Sequence, residues 1–239
     1  MIATQFSALS FLHNWRTKLV YFFLTPLIDL SLLILIAAQY TGNFNWMIGI
    51  ASIAIDAARL TMQTMNELLI KDATLRIDFE LIAKRPFSPR YWLTKAVVAM
   101  IIGVSLALIN LCLVFCLGAP LKIIIRALIL LPLLNLYGVI FGFTAWTLSW
   151  QLNDPYFGQN LFSSLIELVA GILVTITAYP TWLERIAHLF PFSGPIDFIK
   201  FGYINLTNGL IITMIWLIIG VIAYILQIKP ILQTRRYIY

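Results

Sequence analysis

Four stretches of this chain, Leu30 to Ile55, Ala96 to Leu121, Ala127 to Asn153 and Phe201 to Ile228, contain no Asp, Glu, Lys or Arg, and a fifth, Pro155 to Leu183, contains only Glu167. A helix of about 20 mostly apolar residues is long enough to cross the hydrocarbon of a bilayer. Stretches of this length and character therefore confine the chain to a membrane architecture. The composition agrees, with 61% hydrophobic and 11% charged residues against about 25% charged in soluble domains. Too little polar surface remains to cover a globule in water, which excludes a soluble enzyme. The net charge of +6, in a chain this apolar, orients loops at a membrane rather than gripping nucleic acid.

The first charge-free stretch is interrupted by Thr41-Gly42-Asn43-Phe44-Asn45, a cluster of turn formers, and so reads as a helical hairpin. The reading is an all-α polytopic membrane protein, a single domain over 1–239, with six transmembrane helices at 19–39, 46–68, 92–117, 123–150, 159–179 and 208–228. With an even count both termini share a side. A cytoplasmic N-terminus puts twelve of the sixteen Lys and Arg inside and four outside, so the positive-inside rule predicts a multi-pass plasma-membrane protein with both termini cytoplasmic.

Residues 1–18 mix Phe6, Leu9, Phe11, Leu12 and Trp15 with His13, Asn14, Arg16 and Lys18, the composition of an interfacial amphipathic helix turning into the first span. A cleaved signal peptide is disfavoured, because the apolar stretch is too long and too far from the terminus. Cys112 and Cys116, four residues apart in an apolar run, are too few for a disulfide framework or a metal cage and read as packing residues. No Gly-x-x-x-x-Gly-Lys-Ser/Thr and no His-Glu-x-x-His occurs, so neither a phosphate-cradling loop nor a zinc protease is expected. Ser193 and His188 lie in one segment, not on two facing helices as nucleophilic catalysis inside a membrane would need. No catalytic residue, metal site or cofactor bound by this chain is expected. Trp146, Trp150 and Trp216 read as interface anchors and packing residues.

Two segments outside the spans are unusual. Residues 71–85 between spans two and three place Leu75, Phe79 and Ile82 on one helical face, and Pro86 and Pro89 end the pattern. A helix lying on an anionic leaflet is expected to have a mainly basic polar face. Here Asp72, Asp78 and Glu80 alternate with Lys71, Arg76 and Lys84, which suits docking against a protein. Residues 180–202 between spans five and six are too apolar for a solvated loop and are cut by Pro191, Gly194 and Pro195. Irregular backbone at membrane depth persists only where protein or a water-filled cavity satisfies it, so this segment reads as two short re-entrant or interfacial helices.

In this order within a six-span chain of this length, the two segments resemble the membrane subunit of the type-two ABC exporter family. Phe79-Glu80 followed by Pro86, Ser88 and Lys95 is similar to the family's Leu-Glu, Pro-x-Ser, Lys pattern. Phe190-Pro191-Phe192-Ser193 with Asp197 and Lys200 is similar to its Asn-Pro block before the last span. The chain departs from the pattern at Ile77-Asp78, where the family has Gly-Thr, and at Phe190, where it has Asn.

The resemblance implies a permease without enzymatic activity of its own. A separate cytoplasmic ATP-binding subunit, carrying ATP and Mg, would act through a coupling helix at 71–85 with Arg76, Asp78, Phe79, Glu80 and Lys84 at the contact. A second membrane subunit, identical or related, would complete a pathway lined largely by spans one, two and five. Apolar or amphipathic cargo, such as a peptide, drug or lipid-linked molecule, would move outward past an outer gate containing Trp182, Phe190, Pro191 and Phe192.

Ionisable residues inside a membrane default to function. Asp29, Asp56, Arg59 and Glu167 fall near mid-depth, with Asp56 and Arg59 one turn apart on one face, and are expected to form a charge network between pathway helices. The alternatives for the whole chain are a secondary transporter, in which these charges are the coupling site, and a non-transporting membrane scaffold.

Overall fold

The structure is a computed structural model that describes residues 2–42, 45–75, 86–150, 152–203 and 205–236. The described residues are helical, with no strand among them. In chain order the helices are α1 (Ile2–Ala8), α2 (Trp15–Leu19), α3 (Thr25–Thr41), α4 (Trp46–Thr74), α5 (Pro89–Cys116), α6 (Leu121–Ser149), α7 (Phe157–Val169), α8 (Thr181–Ala187), α9 (Ser193–Phe201) and α10 (Thr207–Arg236). A π-helical turn over Val20–Leu24 joins α2 to α3 without a break.

Four helical segments are long and apolar enough to cross a membrane: Trp15–Gln39, Pro89–Cys116, Leu121–Ser149 and Thr207–Lys229. The protein is therefore an all-helical membrane protein. Helix α4 is equally long but carries Asp56, Arg59, Glu67, Lys71 and Asp72, which hold it below that hydropathy. It is nevertheless the axis of the bundle, packed against α3, α5, α6, α7 and α9. Packed among these helices, Asp56, Arg59, Glu67 and Asp72 meet polar partners.

Helix α6 approaches α4 most closely. A Cβ on Gly138 would lie 2.3 Å from the Ala58 carbonyl oxygen, and one on Gly142 would lie 2.5 Å from that of Met62. These two glycines, four residues apart on one helix face, let backbones touch where lipid offers no hydrophobic drive for association. The same seam holds the Thr61 hydroxyl against Asn135 Oδ1 and the Ala57 carbonyl.

The hairpin turn forms as the sequence predicts at its described ends. Gly42 closes α3 in the left-handed region, φ 71°, and the Asn45 side chain caps α4 by accepting from the Met47 amide at 2.9 Å. One boundary differs from expectation. The first-span helix begins at Trp15 rather than at residue 19, because the Asn14 side chain caps it by accepting from Arg16 N. The leading segment, expected as an interfacial helix, packs on the bundle, with Leu9 and Phe11 buried in the core.

The expected fifth span, 159–179, is not one continuous helix. Helix α7 ends at Val169, Gly171 turns left-handed at φ 74° and a short 3-10 turn follows at Ile176–Ala178. Thirteen residues of α-helix rise only about 20 Å, short of the roughly 30 Å of hydrocarbon. The broken backbone is satisfied by protein. Lys200, buried on α9, donates Nζ to the carbonyls of Gly171 (2.6 Å) and Ile172.

At one end of the bundle Gln5 of α1 reaches Lys95 near the start of α5, and Tyr224 in the second half of α10 reaches Pro86 just before α5. Helices α8 and α9 lie at the opposite end, where Arg126 near the start of α6 donates to the Lys200 carbonyl at 3.4 Å.

Candidate functional site

A cavity of about 400 Å³ opens between α3, α4 and α7, roofed by the segment that follows α7 and by α8. One part of its wall is ionic: Asp29 from α3, Ser52, Asp56 and Arg59 from α4, and Glu167 from α7. The rest is apolar, including Leu32, Leu33, Ile55, Leu168, Leu173 and Leu183. The 3.6-residue repeat sets Ser52, Asp56 and Arg59 on one face of α4, and the packing of α3 and α7 on that face closes the site.

Arg59 organises the ionic wall. Its guanidinium pairs with Asp56 Oδ1 at 3.4 Å and with Glu167 Oε1 through the same nitrogen, Nη1. Ser52 Oγ, one turn earlier on α4, donates to the second oxygen of Asp56 at 3.5 Å. Arg59 Nε is buried and meets no acceptor among the described residues. The Glu167 side chain remains 53% exposed, whereas those of Asp56 and Arg59 are 10% and 18% exposed. Asp29 lines the same cavity from the facing helix. Three carboxylates against one guanidinium leave the wall with a formal excess of two negative charges. Such a wall attracts cations, while the opposite wall removes apolar surface from water.

The four intramembrane charges expected to cluster thus share one cavity. Sequence reasoning missed the neighbours that complete it, Ser52 and Tyr179. Tyr179 follows the 3-10 turn and fixes the roof by donating its hydroxyl to the Leu168 carbonyl at 3.0 Å. A serine four residues before an aspartate on the same helical face was the available signal for Ser52. No spacing rule could have carried Tyr179 back over a helix break.

The expected gate residues divide into two groups. Phe190, Pro191 and Phe192 are buried. The Phe190 ring stacks on Phe141 with centroids 5.6 Å apart, and Phe192 packs edge-on to Tyr137 at 6.1 Å. Trp216 Nε1 donates to the Leu189 carbonyl at 2.8 Å beside them. These contacts seat residues 189–192 on α6 and α10. Trp182 on α8 is 62% exposed and does not line the cavity, whereas Tyr179 and Leu183 do. Trp146 and Trp150 pack with Tyr224 and Trp92 at the other end of the bundle.

Arg76, Asp78, Phe79, Glu80 and Lys84, expected at the ATPase contact, lie outside the described residues, as does most of the expected coupling helix. No group of three or more His, Cys, Asp or Glu side chains that could hold a metal ion occurs among the described residues. Compared with protein-family models, curated proteins and solved structures, the chain matches none.

Proposed function

We propose that this chain is the membrane subunit of an ATP-driven exporter, crossing the plasma membrane six times and working with a separate cytoplasmic ATPase and a second membrane subunit. In this reading α4 is the second span. Helix α7 with the irregular segment through residue 179 is the fifth, and both described ends of the chain face the cytoplasm. The cavity between α3, α4 and α7 lies on the pathway side. Its cargo is amphipathic with a positively charged group, which the ionic wall receives while the apolar wall covers the remainder.

The single observation that carries the reading is the cavity itself. It is built by the helices that correspond to spans one, two and five, it combines ionic and apolar walls, and it is roofed by a broken segment held in place by protein contacts. A pocket of mixed walls inside a helical bundle is a common form of ligand site. The resemblance of Phe79-Glu80, Pro86, Ser88 and Lys95 to the family's pattern supports a separate ATPase as the motor, acting through a coupling helix at 71–85.

One observation also favours a secondary transporter, in which the same ionic wall couples cargo to an ion gradient. A broken helix beside intramembrane carboxylates is a frequent setting for a coupling ion. Purification from native membranes separates the two. The exporter reading expects a soluble ATPase to co-purify in stoichiometric amount and to be lost on replacing Phe79 and Glu80 with Ala. Transport by the isolated chain under an ion gradient, with no nucleotide hydrolysed, establishes the second reading and removes the first.

A further inference from the structure

The described residues on either side of 76–85 make polar contacts with neighbouring helices, away from the cavity. On the leading side, Asp72 near the end of α4 accepts Lys95 Nζ at 3.0 Å and the Tyr91 hydroxyl at 2.8 Å. Lys95, on the second turn of α5, is fully buried. Its ammonium also donates to the Leu68 carbonyl of α4 at 2.8 Å and to Gln5 Oε1 of α1 at 3.1 Å, and lies 5.1 Å from the centre of the Tyr91 ring. An ammonium has three protons to donate, and here three acceptors, two on α4 and one on α1, take them. On the trailing side, the Pro86 carbonyl accepts Trp92 Nε1 from α5 at 3.2 Å and the Tyr224 hydroxyl from α10 at 3.0 Å.

A sealed ion pair of this kind is a poor source of stability, because the cost of desolvating both charges rivals their attraction, and apolar residues of similar size often serve as well. What it does supply is a single geometry. Greasy helix contacts can slide past one another, whereas a saturated ammonium has one arrangement and breaks if α1, α4 and α5 shift separately. From Asp72, α4 runs unbroken back to Arg59 and Asp56 in the cavity wall, about 20 Å away at 1.5 Å per residue. No proline and no glycine interrupts that stretch.

We infer that Lys95 is a positioning residue that locks α1, the end of α4 and the start of α5 into one lever, so that displacement of segment 76–85 reaches the ionic cavity through α4. This rests on the exporter reading, because the displacing force comes from the partner ATPase. Removing the lock leaves the motor attached and hydrolysing while its stroke is dissipated between α4 and α5.

The test uses the complex with its ATPase. An environment-sensitive fluorophore is placed at Leu168→Cys in the cavity wall, with Cys112→Ser and Cys116→Ser removing the native thiols, and its emission is compared with and without ATP and vanadate. The double replacement Lys95→Met with Asp72→Leu leaves no buried charge unpaired. It is expected to keep ATPase binding and hydrolysis while reducing the nucleotide-dependent emission change about fivefold or more. Gln5→Leu removes one arm of the lock, so that the question is still answered if the double variant does not accumulate, and is expected to reduce the change about twofold. An unaltered response in either variant overturns the inference. A wild-type preparation with no bound ATPase and no nucleotide response overturns the exporter reading and the lever with it, a result distinct from a wild-type response that survives the replacements.

Discussion

Two ionic clusters sit on the same helix, a few turns apart, and are built differently. Near the end of α4, Asp72 and Lys95 are closed in by Gln5, Leu68 and Tyr91, every proton of the ammonium is used, and the Lys95 side chain is 1% exposed. In the middle of α4, Asp56 and Arg59 share their charge with a half-exposed Glu167, Arg59 Nε has no acceptor among the described residues, and a cavity adjoins the group. The first cluster is complete without anything else. The second has an excess of negative charge and room beside it. Burial with saturation is the arrangement on which the proposed lock rests, and burial with unmet charge beside a cavity is the one on which the proposed cargo site rests.

The sharpest way to break this comparison is to remove one partner of the sealed pair. Lys95→Met alone strands Asp72 in a dry site and is expected to cost about 3–5 kcal/mol, read as lost folded protein in denaturant unfolding. Adding Asp72→Leu should recover most of that loss. If the single and double variants are equally unstable, the ion pair is not the source of the effect.

Arg59→Gln is expected to cost less, about 1–2 kcal/mol, since the exposed half of its network at Glu167 is screened by solvent. Its larger effect should fall on transport of a fluorescent lipophilic cation by the complex. A stability loss as large as that of Lys95→Met would erase the distinction between the clusters.

Asp29→Asn sharpens the comparison further, because Asp29 lines the cavity and is not needed to hold the Arg59 pairs. Unfolding should be unchanged, while binding of the same lipophilic cation weakens about fivefold as one carboxylate charge is lost. Equal binding of an uncharged amphiphile by wild type and variant would confirm that charge, and not shape, is being read.

The smallest expected effect is at the outer end. Burial pushes the Lys200 ammonium down from the ordinary 10.5 to about 8, with the Asp197 carboxylate opposing the shift. Between about 8 and 10.5 the unfolded segment holds a proton that the docked segment has released. Docking of α9 onto the break after α7 therefore strengthens as pH rises through that window and is weakest below it. Amide exchange protection of α9, corrected for the intrinsic rate, should rise from pH 7.5 to pH 9.5 in wild type and stay flat in Lys200→Met. The charged groups that face Lys200 are the Asp197 carboxylate on its own helix and the Arg126 guanidinium of α6, which donates to the Lys200 carbonyl.

Much of the helical plan was legible because apolar runs and turn formers act locally. The hairpin turn at Gly42 and Asn45 and the apolar helices of α5, α6 and α10 follow from periodicity, absence of charge and capping chemistry. The clustering of Asp56, Arg59 and Glu167 was legible too, since depth along a helix can be counted in residues. The break after Val169 was not. An apolar, β-branched run continues past Gly171, and nothing nearby in sequence announces that a lysine 29 residues later will take the carbonyls of Gly171 and Ile172. The burial of Phe190 and Phe192 was equally hidden, because aromatic residues in an outer segment suit a gate and an anchor alike.

The sequence by itself determined that this is a helical membrane protein, since only helices satisfy the backbone of such apolar runs in lipid, and it determined which charges would share a depth. Tertiary structure alone decided which of those charges would be sealed and which left beside open space. That outcome depends on the distance between backbones, set by Gly138 and Gly142 against α4 on one side and by the shortened α7 on the other. A linear pattern encodes the face a side chain takes on its own helix, not how closely the next helix will come.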